Sequence, residues 1–121
     1  MRTRSLRTVP LKDSMSNATH YTQLKQQLQE HASRFVSTWS NRLSLITITD
    51  VLLSKKADRA VFLVSVFPED AEGPALGFLM RKRGECREYL REHVRLARVP
   101  HVEFALDEGE KNRQKVEELL R

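Results

Sequence analysis

A single cysteine, Cys86, in a chain of 121 residues excludes an intramolecular disulfide and any zinc site built on two to four thiolates. A reducing compartment fits that usage, and the cytoplasm is the expected location. The chain also lacks an apolar run near the roughly 18 residues of a membrane span, and its opening MRTRSLRTVP lacks the apolar core of a secretory signal. No membrane partner is expected. Catalytic signatures are missing too: His20, His31, His93 and His101 show neither HExxH nor another clustered ligand spacing, and there is no Gly-x-Ser-x-Gly elbow or GxxxxGK[ST] phosphate cradle. The expectation is a protein without catalysis, metal, cofactor or small-molecule substrate.

The length suits one domain of average size. With 40% hydrophobic and 31% charged residues, the composition supports a packed core under a charged surface. The formal charge is +5 and the pI near 9.7, which favours a polyanionic partner, nucleic acid first. That excess is concentrated. Residues 1–14 carry +3, residues 15–80 are neutral, residues 81–98 carry +4 and residues 99–121 carry −2.

Residues 1–16 mix Arg, Ser, Thr, Pro and Lys without an apolar period and read as a flexible basic tail ahead of a domain over 17–121. Tyr21, Leu24, Leu28, Phe35, Val36 and Trp39 recur at helical spacing, so an amphipathic helix is predicted from about His20 to Trp39, with Asn17 or Thr19 as its N-cap. LSLITITDVLL (Leu43–Leu53) alternates as a strand. SKKAD turns the chain into AVFLVSVF (Ala60–Phe67), apolar on both faces and therefore central in a sheet. Residues 74–83 and the stretch from Gly84 to Ala97 are helical in pattern but joined by Gly84, which predicts a kink at Lys82–Gly84. Val99-Pro100 ends the second of these helices. HVEFAL (His101–Leu106) forms a third strand, and a short charged helix or tail closes the chain.

Within the basic segment, Arg87, Arg91, Arg95 and Arg98 fall on one predicted helix face and Leu90, Val94 and Ala97 on another, so one face can pack while the other meets phosphates. A solvated face laced with Glu88 and Glu92 salt bridges is the competing reading. Arg81, Lys82 and Arg83, placed before Gly84 and a helix N-terminus, favour phosphate. Lys55 and Lys56, in the hairpin turn, extend the surface or simply solvate the turn. Phe62, Phe67, Phe78 and Phe104 lie in apolar patterns that assign them to the core, so recognition by backbone and shape is expected over base reading. Cys86, despite its cationic neighbours, reads as a small apolar residue on a buried helix face, and Asp50 as an aspartate bonded to nearby backbone.

The stretches LITITDVLLSKKADRAVFLVSV (Leu45–Val66), LREHVRLARVPHVEFALDEG (Leu90–Gly109) and VEELL (Val116–Leu120) resemble the ribosome-binding factor A family over about residues 20–121. The likeness implies a single α+β, KH-like domain of type II arrangement, α-β-β-α-kink-α-β, with a three-stranded sheet packed on helices. In that family a helix–kink–helix carrying Ala-x-Gly replaces the usual GxxG loop. Lys82-Arg83-Gly84 stands in that place here, and Ala75-Leu76-Gly77 matches the letters but lies too far from Val99-Pro100. The family implies binding to the small (30S) ribosomal subunit and its 16S rRNA during late maturation, a contribution to growth in the cold, and a monomer. Departures are His20, Tyr21 and Gln23, where the first helix usually opens with arginines, and Ser54-Lys55-Lys56 in the hairpin turn. RNA contact is then expected from Arg81, Lys82, Arg83, Gly84, Arg87, Arg91, Arg95, Arg98, Lys55 and Lys56. The alternative is a protein-interaction module of the same fold, docking through helix faces with an acidic C-terminal tail.

Overall fold

The computed structural model describes residues 13–40, 44–96 and 98–120, with the side chains of the first helix described from His20 onward. Helix α1 (Asp13–Ser37) precedes a hairpin of β1 (Leu45–Leu53) and β2 (Arg59–Phe67). After a 3-10 turn (Glu69–Ala71) come α2 (Glu72–Arg81), α3 (Arg83–His93), β3 (His101–Leu106) and α4 (Glu110–Leu119). The sheet order is β1-β2-β3, with β1 antiparallel and β3 parallel to β2. This is the KH-like order expected from the sequence, with the C-terminal segment folded as a fourth helix.

The central position of β2 follows from its side chains. Ala60, Phe62, Val64 and Val66 enter the main core between the sheet and α1, α2 and α3, where Leu28, Val36, Leu79, Cys86 and Leu90 meet them. Val61 and Leu63, on the opposite face, pack with Leu52, Leu120 and Val116, so α4 covers part of the back of the sheet. Each such large apolar side chain contributes about 1.5–3 kcal/mol on burial. A strand apolar on both faces has its two layers here, except at its last residue: Phe67, expected in the core, is 73% exposed because β2 runs past α4 at that end.

β1 reaches the same result by a break in register. Ile46 and Ile48 face the main core, the pairing shifts between Ile48 and Asp50, and Val51 and Leu53 then take over the core face. A period of two without that bulge would drive Asp50 into the apolar layer. Instead its carboxylate accepts the Val51 N–H at 2.8 Å and pairs with Arg113 of α4, while the Thr49 hydroxyl donates to Asp107 at 2.7 Å. Asp50 is the locally bonded aspartate that its position implied, with an ion pair besides.

Two boundaries differ from those expected. Helix α1 begins at Asp13, so residues 13–16, read as tail, are helical, and Asn17 and Thr19 lie inside the helix instead of capping it. Once nucleated, a helix propagates across such residues at small cost per residue. Residues 1–12, the rest of the expected tail, lie outside the described residues. The second difference matters more for function. Helix α3 ends at His93, and Val94 is already extended at φ −118° and ψ 134°. Val94 and Val99 are buried and Leu96 packs partly against the core, a pattern that an extended crossing to β3 satisfies and one continued helix face does not. Arg95 and Arg98 therefore leave the helical face they were expected to share with Arg87 and Arg91.

Candidate nucleic-acid interface

The basic residues divide between two ends of one helical layer. Helices α1 and α3 run antiparallel: His31 meets His93 at 5.7 Å between ring centroids, Phe35 meets Tyr89 at 5.6 Å, and Lys82 lies over Trp39 at 5.0 Å. The kink sits at the C-terminal end of α1, and the loop after α3 sits near its N-terminal half. Eleven helical residues rising 1.5 Å each separate them by about 16 Å.

At the kink, most of the cations are engaged by their own fold. Lys82 joins α2 to α3, and its ammonium lies over the Trp39 and Phe78 rings and donates to Glu85 at 3.0 Å. Arg83 donates its Nε–H to the Met80 carbonyl at 2.8 Å. Arg87 donates Nε–H to the Pro100 carbonyl at 3.1 Å and an Nη2 proton to Val99 at 3.2 Å, which fastens the loop before β3 to α3. Arg91 pairs with Glu88 at 3.2 Å on the exposed face, the salt-bridge alternative raised by the sequence, worth about 0–1 kcal/mol. Arg81 is exposed at the end of α2. Gly84 is exposed in the first turn of α3, and a Cβ added there meets nothing within 4 Å.

At the other end, a cleft of about 710 Å³ opens between α1, the hairpin turn and the loop after α3. Its cations are Lys56, from the turn, and Arg95 and Arg98, from the loop. Helix α1 contributes His20, Gln23 and Gln27, and Leu24, Ala57 and Leu96 are its apolar lining. No carboxylate lines it among the described residues. The turn that carries Lys56 is closed by Ala57 N–H to Ser54 O at 2.9 Å, with Ala57 left-handed at φ 57°. The buried Ser54 hydroxyl donates to Asp58 at 2.6 Å and accepts the Arg59 N–H at 2.9 Å. That hydroxyl, the Asp58 N–H, and the nearby Arg98 and Lys56 charges hold the Asp58 carboxyl below its usual value. The His101 N–H to Asp58 O bond, 2.9 Å, ties the turn to the start of β3.

Lys55 points elsewhere. It lines a second hollow, across α1, with Lys25, Tyr21 and Glu117. The Tyr21 hydroxyl donates there to the Leu53 carbonyl, and burial, with the Glu117 charge, raises its pKa. The sequence did not single out His20, Gln23 and Gln27 as a surface. Their signal is the spacing of 20, 23, 24 and 27, which places three polar groups and Leu24 on one helix face. Cys86 is fully buried, and burial pushes its thiol up to about 12, which makes it part of the packing and not a thiolate. Among the described residues no helix is long and apolar enough to cross a membrane.

Comparison with known proteins gives a consistent result. The family model described as ribosome-binding factor A matches residues 20–120. A ribosome-binding factor A from Brevibacillus brevis is 33% identical over 81 residues, covering 66% of this chain and 67% of its own length. The crystal structure of ribosome-binding factor A from Thermus thermophilus superposes with a TM-score of 0.63 at 28% identity, over 70% of this chain and 92% of that one. A Thermus thermophilus homology model fitted into a cryo-EM map of a complex with the 30S subunit gives 0.60 at 27%, covering 69% and 90%. The solution structure of a Thermotoga maritima protein described as a putative ribosome binding factor A gives 0.60 at 25%, covering 74% and 89%.

Proposed function

The chain belongs to the ribosome-binding factor A family, and from that premise we propose that it binds the small ribosomal subunit during maturation and supports 16S rRNA processing without catalysis, as a cytoplasmic monomer. The Thermus relative is described in complex with the 30S subunit, which supports the same partner here. We further propose that the basic cleft is the principal rRNA contact and that the kink is an outer one, through Arg81 and Arg91. One observation carries this reading: three cations, one from the hairpin turn and two from the loop after α3, converge on a cleft that no carboxylate lines among the described residues, whereas Lys82, Arg83 and Arg87 are held by internal partners.

Cations facing phosphates release counterions on binding, so association should weaken steeply with salt. Co-sedimentation with purified small subunits tests this. Changing Arg95 and Arg98 to Glu should remove the protein from the subunit pellet at a salt concentration where the unaltered protein is retained, with the melting temperature unchanged. Retention of the altered protein would move the site elsewhere.

The protein-interaction alternative finds less support in the C-terminal segment. Val116 and Leu120 pack on the sheet, and Arg113 pairs with Asp50, so α4 is fastened to the domain instead of extending as a tail. Nuclease treatment of the bound complex separates the two readings, because contact through rRNA is lost and contact through protein survives.

A further inference from the structure

A strip of surface cations suffices to hold a duplex backbone, and such a strip needs no hollow. The cleft between α1, the hairpin turn and the loop after α3 is an open groove of about 710 Å³ with a half-buried floor of Leu24, Ala57 and Leu96, within the roughly 300–1,000 Å³ range of small-ligand sites. Its lining is also sorted by chemistry. Lys56, Arg95 and Arg98 stand on the turn and the loop, the amides of Gln23 and Gln27 stand one helical turn apart on α1, and Leu24 and Leu96 supply apolar surface.

A primary amide offers donor and acceptor together, the complement of a base edge, and it contributes nothing to a charge-only contact. Unpaired RNA presents such edges once a base is splayed from its neighbours, whereas the grooves of a duplex hide or blur them. We propose that the cleft receives one unpaired nucleotide of an RNA strand. Its base lies on the apolar surface with its edge against Gln23 and Gln27, and its flanking phosphates lie on Lys56, Arg95 and Arg98. The inference rests on the reading of this cleft as the rRNA contact and adds the strand state of the ligand and a base-reading element.

The walls are built to hold such a guest. Arg87 pins the loop through the Val99 and Pro100 carbonyls, and the His101–Asp58 backbone bond pins the turn to the strand that follows the loop. Ser54 closes the turn from inside. The backbone at the edges of the walls is thereby anchored, and the ordering left for a ligand is that of the exposed Gln23, Gln27, Lys56, Arg95 and Arg98 side chains.

The test uses the full chain and fluorescence anisotropy at one salt concentration. The probes are four single-stranded RNA homopentamers, a ten-base-pair RNA duplex and the free nucleoside monophosphates. The expected result is at least fivefold tighter binding of the best pentamer than of the duplex, and a spread of at least fivefold among the pentamers. Gln23→Ala with Gln27→Ala, both exposed on α1, should collapse that spread while leaving the salt dependence and circular dichroism unchanged. The proposal is overturned by equal affinity for duplex and single strand, by no binding to any pentamer, or by a base preference that survives loss of both amides. A mononucleotide that binds as tightly as the pentamer also overturns it, since the guest would then be a free nucleotide. Subunit co-sedimentation separates the two levels. If Arg95→Glu with Arg98→Glu still abolishes association while the oligonucleotide arms fail, only the nucleotide pocket falls. If it does not, the cleft as rRNA contact falls as well.

Discussion

The two ends of the α1/α3 layer carry similar charge in sequence and different charge in space. At the kink, Lys82 lies between two aromatic rings and a glutamate, and Arg83 and Arg87 donate to backbone carbonyls. At the hairpin end, Lys56, Arg95 and Arg98 surround a hollow. A cation whose donors are already engaged has less to offer a phosphate than one that faces solvent, because binding must first break an existing contact. Charge density along a chain therefore overstates binding wherever the fold uses the charge for itself.

The largest effect that would break this contrast is on association. Arg95→Glu with Arg98→Glu should weaken binding to small subunits at least roughly tenfold, since each removes a phosphate contact and adds repulsion, while thermal melting stays within about 0.5 kcal/mol. Arg87→Ala should act on both properties. Loss of its charge-assisted bonds to Val99 and Pro100 should cost about 1.5–3 kcal/mol in urea unfolding and, by loosening the loop, weaken association by a smaller factor than the double reversal. Lys82→Ala should do the reverse of the cleft variants: about 0.5–2 kcal/mol of stability lost with its aromatic contacts, and association within twofold of the unaltered protein. If Lys82→Ala abolished association without loss of stability, the assignment of the two ends would be inverted.

Lys56→Ala should reduce the slope of log affinity against log salt by about one, measured by anisotropy across a salt series, with the fold unaffected. The smallest effect is on acid stability. Asp58, held below its usual 3.8 first by the Ser54 hydroxyl, and Asp107, held down first by the Thr49 hydroxyl, have lower pKa values folded than unfolded. Their contribution is therefore full above the ordinary carboxylate range and is lost as pH falls below it through the folded values. Melting followed from pH 7 to pH 2 should show that loss, and it should be shallower in Ser54→Ala and Thr49→Ala.

Much of the architecture was legible because it rests on local patterns. The two-sided apolar run of Ala60–Phe67 implied a central strand, and β2 lies between β1 and β3. Gly84 implied a break, and the helices part at Lys82. What escaped depends on partners distant in sequence. Leu90, Val94 and Ala97 fit helical spacing, but Val94 and Leu96 also fit an extended crossing, and the packing beneath them decides for the latter. The bulge after Ile48 leaves no mark in composition, yet it moves Asp50 off the core face. The contact of Lys82 with Trp39 is likewise hidden, because nothing in the segment of Lys82 reveals the ring that α1 brings beneath it. The cleft was half legible: its three cations were among the expected contacts, whereas His20 and Gln23 of the α1 face stood out only as departures from the family's arginines and Gln27 not at all.

The parallel pairing of β2 with β3 has a consequence for when the protein can act. The β1–β2 hairpin closes locally, whereas β3 meets β2 only after about forty residues of intervening chain, a non-local contact that forms late and at greater entropic cost. Lys56 lies before that gap, and Arg95 and Arg98 lie near its end, next to the backbone bond that joins Asp58 to His101. A nascent or partly unfolded chain can have its hairpin and its helices and still have no cleft. On the proposed reading of the cleft, binding competence reports completion of the sheet, and a chain whose sheet is incomplete lacks the site.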